Sequence, residues 1–435
     1  MTTASCCEPA DACLAPEEAP PTYEPPRPPD LSEKSVDEQF TEFARWRDTA
    51  QLSIVVIGRD ARMFLPESLT RLAGDCHEII YLDTGSTDIS MLQAREFGCK
   101  VYSSVWRQSF AAARNEALSH ATGKWVLSLD TDEVLDRNQL RRLNYVLSQA
   151  DPETQCFFTI LEMVNDRKDI EGEMNFQLRV FPNHYARGLR WKFRCHEQIK
   201  PSLEEMGVGD PLMSGVRIKH LGYANAEMVK VKCGRNRELL MMELDEAEER
   251  PRFVPWFHLS KCAAALGHFN EALEWVEKTA RSEQARAENK SQVIAAYEFW
   301  GTIFMRTQQP QHAIRVWAEA RDLYPGQATF YADLGMVRRA LGDEEEAITL
   351  LTQAVDLPMI VGSQASGAVR IRFAAMMNLQ EIFERRALFG DQSAEDREKN
   401  NRTARMWGRR AEELRGTVSE LVPMPAEEGK TPEEE

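Results

Sequence analysis

A self-similarity of 34 residues in the second half limits what this chain can fold into more than any other feature. Gly301 and Gly335 are 34 residues apart, and so are Ala313 and Ala347. The segments Phe299-Trp-Gly301 to Gln309-Pro-Gln-His-Ala313-Ile314 and Asp333-Leu-Gly335 to Asp343-Glu-Glu-Glu-Ala347-Ile348 align over their whole length. An earlier copy, Leu266-Gly-His-Phe-Asn-Glu-Ala272-Leu273, lies 41 residues before Ala313, which implies an insertion near 281–290. Pro325 and Pro358 punctuate the ends of two copies. A period of this length, with small residues at fixed offsets, describes a pair of helices that buries its apolar face only against the next pair. The pattern assigns residues 226–415 to such repeats, with 365–415 supplying the last repeat and a capping helix. The stack leaves a groove suited to an extended partner.

The first half has a different rhythm. Ile54-Val55-Val56-Ile57, Glu78–Leu82, Lys100–Ser103 and Trp125–Leu129 read as strands, separated by helices over Phe64–Leu72, Met91–Phe97 and Phe110–His120. Strands alternating with helices of about ten residues predict a parallel sheet covered on both faces. Ligands of such sheets lie beyond the carboxyl ends of the strands, where Asp83, Asp130 and Asp132 fall. If the strand continues past Leu129, Asp130 and Asp132 share one of its faces. Clustered carboxylates are costly to bury and are commonly stabilised by a divalent cation. The plainer reading is a solvated strand end whose acids cap the next helix. From 153 to 223 the pattern becomes strand-rich, with Cys156–Met163, Gln177–Phe181 and Val216–His220. There the acidic chain carries a basic and aromatic run, Arg179, Arg187, Arg190, Trp191, Lys192 and Arg194, leading to His196-Glu197. That run reads either as solvated loops around a buried tryptophan or as the wall of a cleft for an anionic or sugar ligand.

Taken in order, Ile54-Val-Val-Ile-Gly-Arg-Asp60, Glu78-Ile-Ile-Tyr-Leu-Asp83-Thr-Gly-Ser-Thr-Asp88, Phe110-Ala-Ala-Ala-Arg114-Asn115-Glu-Ala-Leu118 and Trp125-Val-Leu-Ser-Leu-Asp130-Thr-Asp132-Glu133 resemble family 2 glycosyltransferases of the GT-A fold. The chain is more narrowly similar to bacterial members carrying a tetratricopeptide array, among them S-glycosyltransferases of bacteriocin peptides, and to transferases of lipopolysaccharide cores. The resemblance implies a Rossmann-like α/β GT-A domain over 51–225, followed by tetratricopeptide-type repeats. It implies transfer of a sugar, with inversion, from a nucleotide-diphospho-sugar to a peptide, protein or glycan acceptor. It puts Asp83 at the nucleotide base, Arg114 near the diphosphate and Asp130 near the ribose or the metal. Asp132 and His220, the latter in Ile218-Lys-His-Leu-Gly-Tyr223, then hold manganese or magnesium. Glu197, from Arg194-Cys-His-Glu197, is implied as the base that takes the acceptor proton, with His196 orienting it or contacting phosphate. Glu133 is expected on the other face of the strand, and a surface ion pair of Glu197 with Arg194 or Lys200 is the competing reading. Where relatives often have Asn-Glu after the first strand, this chain has Asp60-Ala61, a change in the loop at the nucleotide that includes Asp60.

Composition removes several other classes. A net charge of −16 argues against non-specific nucleic-acid or anionic-membrane binding, which needs a basic face, and leaves room for a local basic pocket. No apolar run approaches a bilayer-spanning length, and a cytoplasmic protein is expected. The nine cysteines form no Cys-x-x-Cys pair, so neither a zinc knuckle nor a disulfide scaffold is indicated. Eight prolines in residues 1–30 predict a disordered tail, which includes Cys6-Cys7; residues 31–50 read as a short helix, and 416–435 as an acidic disordered tail. The other functional reading is a binding module, in which a silent GT-A domain is the rigid base of a protein-binding helical array.

Overall fold

The computed structural model describes residues 24–70, 72–164, 170–221, 226–246, 250–358, 365–389 and 393–416. The Pro-rich segment up to residue 23, including Cys6-Cys7, the acidic tail from 417, and Gly222-Tyr223 lie outside them. The chain divides into two compact units, the first ending at Arg250 and the second starting at Pro251.

The first unit is built on one sheet. In chain order its strands are β1 (Leu52–Gly58), β2 (Glu78–Asp83), β3 (Lys100–Ser103), β4 (Trp125–Leu129), β5 (Glu133–Val134), β6 (Phe157–Val164), β7 (Ile170–Pro182) and β8 (Leu212–Leu221). Their spatial order is β3-β2-β1-β4-β7-β6-β8-β5. The first four are parallel, as the alternating pattern predicts. β7 then runs antiparallel to β4, which makes the sheet mixed. Both faces of β1 are buried: Ile54 and Val56 pack with Leu65, Leu69 and Leu143, while Val55 packs with Ala113 and Ala117. This explains the unbroken apolar run in place of an alternating one. The lead-in helix Val36–Ala50 has a Ser35–Glu38 capping box and lies against helix Arg137–Ser148, with Trp46 edge-on to Tyr145.

The sequence reading starts the repeats at 226, whereas the compact units divide after Arg250. Helix Ala226–Asp245 sits in the first unit because its polar side chains meet that unit's loops: Lys232 faces Asp132, and Glu243 accepts from the backbone N–H of Arg194. The second unit consists of helix pairs 253–266 with 269–280, 290–306 with 310–323, 328–340 with 344–356, and 365–389 with 394–416. The expected insertion near 281–290 is a short extra helix, Glu283–Glu288. The repeat signature has a steric cause. A Cβ on Gly301 would lie 2.1 Å from the Trp317 indole, and one on Gly335 would lie 2.7 Å from Leu351 Cγ. Ala272, Ala313 and Ala347 are fully buried, and Ser260, which stands 41 residues before Gly301, is fully buried as well.

Candidate active site

The carboxyl ends of the parallel strands gather the acidic residues. β2 ends at Asp83 in register with Gly58 of β1, and Leu129, the last residue of β4, pairs with Val56. Asp83 and Asp130 therefore leave strands separated by one neighbour, roughly 10 Å apart at the usual strand spacing. Asp83 is buried; its Oδ1 accepts from the N–H groups of Gly85 and Ser86, both at 2.9 Å. Its Oδ2 has no hydrogen-bond partner among the described residues. A buried, unpaired acceptor costs about 1–3 kcal/mol, so a donor that reached it would be well received.

Asp60 works inside the neighbouring loop. In a left-handed conformation (φ 50°), it accepts from Thr87 N–H at 2.7 Å, while its own N–H donates to Ser86 Oγ. With Ala61 N–H bonded to Ser90 Oγ, the loops after β1 and β2 form one cross-linked rim.

Beyond β4 the strand does not continue. It stops at Leu129, a turn bonds Glu133 N–H to the Asp130 carbonyl, and β5 starts at Glu133. The condition under which Asp130 and Asp132 share a strand face is therefore absent, and the two aspartates serve different clusters. Asp130 belongs to a chain of alternating charges, Glu197–Arg114–Asp130–Arg179–Glu133. Arg114 donates from Nε to Glu197 Oε1 at 2.6 Å, from Nη2 to Asp130 Oδ1 at 2.6 Å and from Nη1 to Ser128 Oγ at 2.8 Å. Arg179 Nη2 bridges Asp130 Oδ2 at 2.9 Å and Glu133 Oε1 at 2.5 Å. Glu133 is thus buried beside Asp130 and shares its arginine, where the sequence reading turns it to the opposite face. The turn re-aims it, and its Oε2 accepts from Asp130 N–H.

The electrostatics follow from burial and pairing. Burial acts to raise the Asp130 carboxyl, but Arg179 and Arg114 overcome it and hold Asp130 well below the usual carboxylate range. Burial pushes Glu133 up to about 7 against the pull of Arg179, with the Asp130 charge adding to the rise. For Arg114 burial works against the cation, and Asp130 and Glu197 more than restore it. Each of the three guanidinium nitrogens of Arg114 donates one of these bonds, and the second N–H of each Nη stays available to a further acceptor such as a diphosphate.

Arg114 is aimed by its helix. Ser109 caps helix Phe110–Leu118 by accepting from Ala112 N–H. The next side chain, Asn115, bonds both backbone groups of Trp191, whose ring lies 5.1 Å beneath the Arg114 guanidinium. Glu197 pairs with this buried arginine and not with Arg194 or Lys200; Arg194 instead binds Glu246. His196 contributes its carbonyl to Arg250 and has a left-handed backbone (φ 53°).

Asp132 faces the second cluster. Its Oδ1 is 3.8 Å from His220 Nδ1, and its Oδ2 is 3.9 Å from Lys232 Nζ. The two meet because β5 pairs antiparallel with β8, Glu133 opposite His220. Among the described residues, no three His, Cys, Asp or Glu side chains are grouped to hold a metal ion. The donor pair nonetheless suits one: a carboxylate oxygen faces a buried imidazole nitrogen that has no hydrogen-bond partner among the described residues. Magnesium and manganese typically take one or two protein ligands, with substrate phosphates and water completing the shell. Asp130 has both oxygens bonded to arginines, Oδ1 to Arg114 and Oδ2 to Arg179.

The sequence puts Arg179 in a candidate cleft wall without pointing to its ion pairs, and it marks neither Lys232 nor Ser128. The basic run contained Arg179, but only the pairing of Val180 with Leu127 brings it to the end of β4. Lys232 arrives from a helix 100 residues after Asp132, and no local signal marks it.

A nucleotide-sugar transferase type of α/β unit and an array of paired helices are the classes this architecture defines. Residues 53–195 match the family model described as Glycosyl transferase family 2. The first unit accordingly carries a family 2 glycosyltransferase domain of GT-A type, and the second unit is a tetratricopeptide-type array. A TPR repeat-containing protein of Synechococcus elongatus is 32% identical over 179 residues, covering 40% of this chain and 43% of its own length. The SPbeta prophage-derived glycosyltransferase SunS of Bacillus subtilis is 22% identical over 243 residues, covering 53% and 54%. The chain thus spans about half the length of the curated relatives it matches. Among solved structures, S. aureus TarS 1-349 in complex with UDP-GlcNAc is similar at 13% identity and a TM-score of 0.34, over 69% of this chain and 90% of that one. MamA is similar at 18% identity and a TM-score of 0.29, over 44% and 99%. Among the described residues no helix is long and apolar enough to cross a membrane.

Proposed function

We propose that this chain is a metal-dependent, inverting glycosyltransferase that moves a sugar from a nucleotide-diphospho-sugar to a peptide, protein or glycan acceptor held by the helical repeats. The reading is carried by the buried chain Glu197–Arg114–Asp130–Arg179–Glu133 at the carboxyl end of β4. A domain without chemistry gains little from five ionisable groups taken out of water, since such networks stabilise poorly compared with apolar packing. The unpaired Oδ2 of Asp83 is the acceptor assigned to a ring N–H of the nucleotide base. Asp132 and His220 are assigned to manganese or magnesium, which when bound neutralises the charge that grows on the departing diphosphate.

Within this reading the protein's own groups handle position and proton. Arg114 fixes Glu197 through Oε1, leaving Oε2 to accept the proton of the acceptor hydroxyl or thiol as that atom attacks the anomeric carbon. Attack comes from the face opposite the leaving group, and the sugar–phosphate bond breaks as the new bond forms. A tetratricopeptide groove suits an extended chain, which favours a peptide or protein acceptor.

Calorimetric titration with UDP- and GDP-sugars, with and without manganese, tests the assignment in the full chain. Metal-dependent binding is expected for one donor series, and Asp132→Ala is expected to abolish it together with transfer while the protein stays folded. Should no sugar nucleotide bind in a metal-dependent way, the domain is the silent base of an adaptor.

A further inference from the structure

The segment that bears Glu197 has a conformation it does not choose by itself. Phe193 (φ 75°) and His196 (φ 53°) are both left-handed without being glycine. Such a residue is strained and persists only where its surroundings hold it. The backbone pair between Lys192 and Gln198 closes the segment at its base, and the Phe110 N–H donates to the Arg194 carbonyl on one side. On the other side Glu243 and Arg250 hold it. Arg250 donates from Nη2 to the Cys195 carbonyl at 3.0 Å and from Nη1 to the His196 carbonyl at 3.4 Å. Its guanidinium stacks on Phe193, 4.5 Å from the ring centre. Glu243 pairs with Arg250 Nε through Oε1 at 2.5 Å and accepts from Arg194 N–H through Oε2 at 3.1 Å. The Arg250 side chain is only 5% exposed and that of Glu243 only 13%, so neither is a solvated surface partner. Every residue from Phe193 to His196 is therefore gripped by this one ion pair, through its ring, N–H or carbonyl.

We propose that Glu243 and Arg250 are a positioning pair, holding Phe193 and His196 in their left-handed conformations so that Glu197 is presented to Arg114 at hydrogen-bond distance. The inference rests on the reading of Glu197 as the base, and the pair acts on the reaction only through that residue. No motif in the strands points to it, because both members follow the segment they hold by about 50 residues.

The test is amide hydrogen exchange across 193–198 in the full-length protein, alongside turnover. In Arg250→Met, exchange of these amides is expected to rise roughly tenfold or more while the β1, β2 and β4 amides are unchanged, since the lost bonds are local. Turnover of whichever sugar nucleotide the wild type accepts with manganese is expected to fall at least ~10-fold, the scale of misplacing one catalytic group. The Kd for UDP or GDP is expected to stay within about twofold, because the pair touches neither Asp83, at the base, nor Arg114, at the diphosphate. Arg250→Met leaves Glu243 buried and unpaired, so the double variant Glu243→Gln/Arg250→Met, which buries no lone charge, must show the same loosening and the same loss. Unchanged exchange in both variants overturns the proposal, and so does loosened exchange with wild-type turnover. A wild type inert toward every sugar nucleotide counts against the Glu197 reading. Exchange alone then decides whether the clamp exists, so the two failures are separable.

Discussion

Arg114 meets three acceptors at once, and its fixed fork is the reason Glu197 and Asp130 are held within one cluster. On the proposed reading, Glu197→Gln keeps the shape of this contact and removes the ability to take a proton. Donor binding is expected to persist while transfer falls by about 10²-fold or more, measured as kcat at saturating donor. If folding and donor binding fail together, Glu197 is a structural residue. A second buried carboxylate, Glu78, gives a pH prediction. Burial alone would raise it, but Lys100, the Thr122 N–H and hydroxyl, and Ser53 bond to it and bring it down to about 2. With the folded value below the unfolded one, the unfolded chain binds the extra proton. The contribution is complete above an ordinary glutamate pKa and is lost as pH falls from about 4.5 to about 2. Its size is on the order of 2 kcal/mol. Chemical denaturation at stepped pH should show that slope in the wild type and a flatter one in Glu78→Gln. Neither partnership was legible beforehand: Glu78 reads as the first residue of an apolar strand, and its partners come from β1, β3 and the loop before β4.

At the scale of elements, the repeats were the most legible part of the chain because their constraint is local and recurs. Gly301 is required where its helix crosses that of Trp317, since no Cβ fits against the rigid indole. Gly301→Ala is expected to destabilise the full chain by about 1–3 kcal/mol through overpacking, despite a gain of up to ~1 kcal/mol in helix propensity. Gly335→Ala, facing the more adaptable Leu351, is expected to cost less. Urea denaturation followed by circular dichroism ranks the two, and Trp317→Leu should recover part of the Gly301→Ala loss. The strands β1, β2 and β4 were equally legible, for their two-sided burial writes continuous apolar runs. The end of β4 was not. An apolar strand followed by Asp-Thr-Asp-Glu is compatible with a longer strand or a turn, and only the pairing of Glu133 with His220 selects the turn. That choice gives Asp130 and Asp132 different partners and buries Glu133. The helix Ala226–Asp245 shows a similar limit: its sequence is helical wherever it packs, and its partners decide which unit it joins.

For the whole molecule, the charge of −16 argues that partners are recognised at defined sites and not by a general cationic field. No retention of duplex DNA is expected in a mobility-shift assay at about 50 mM salt, where even weak phosphate binders are retained. A retained band that vanishes at higher salt would reveal a basic surface that the net charge conceals. What the sequence determined alone were the properties that repeat or run along the chain: the 34-residue helical period, the parallel α/β order, and the acidic residues at strand ends. What the tertiary structure decided was which charges meet. Arg179 reaches Asp130 through an antiparallel neighbour, Lys232 reaches Asp132 from a distant helix, and Arg250 closes on the backbone around His196. Periodicity is written in neighbouring residues and survives in one dimension. Charge pairing depends on distances of about 3 Å between groups far apart in sequence, and only the folded chain sets those distances.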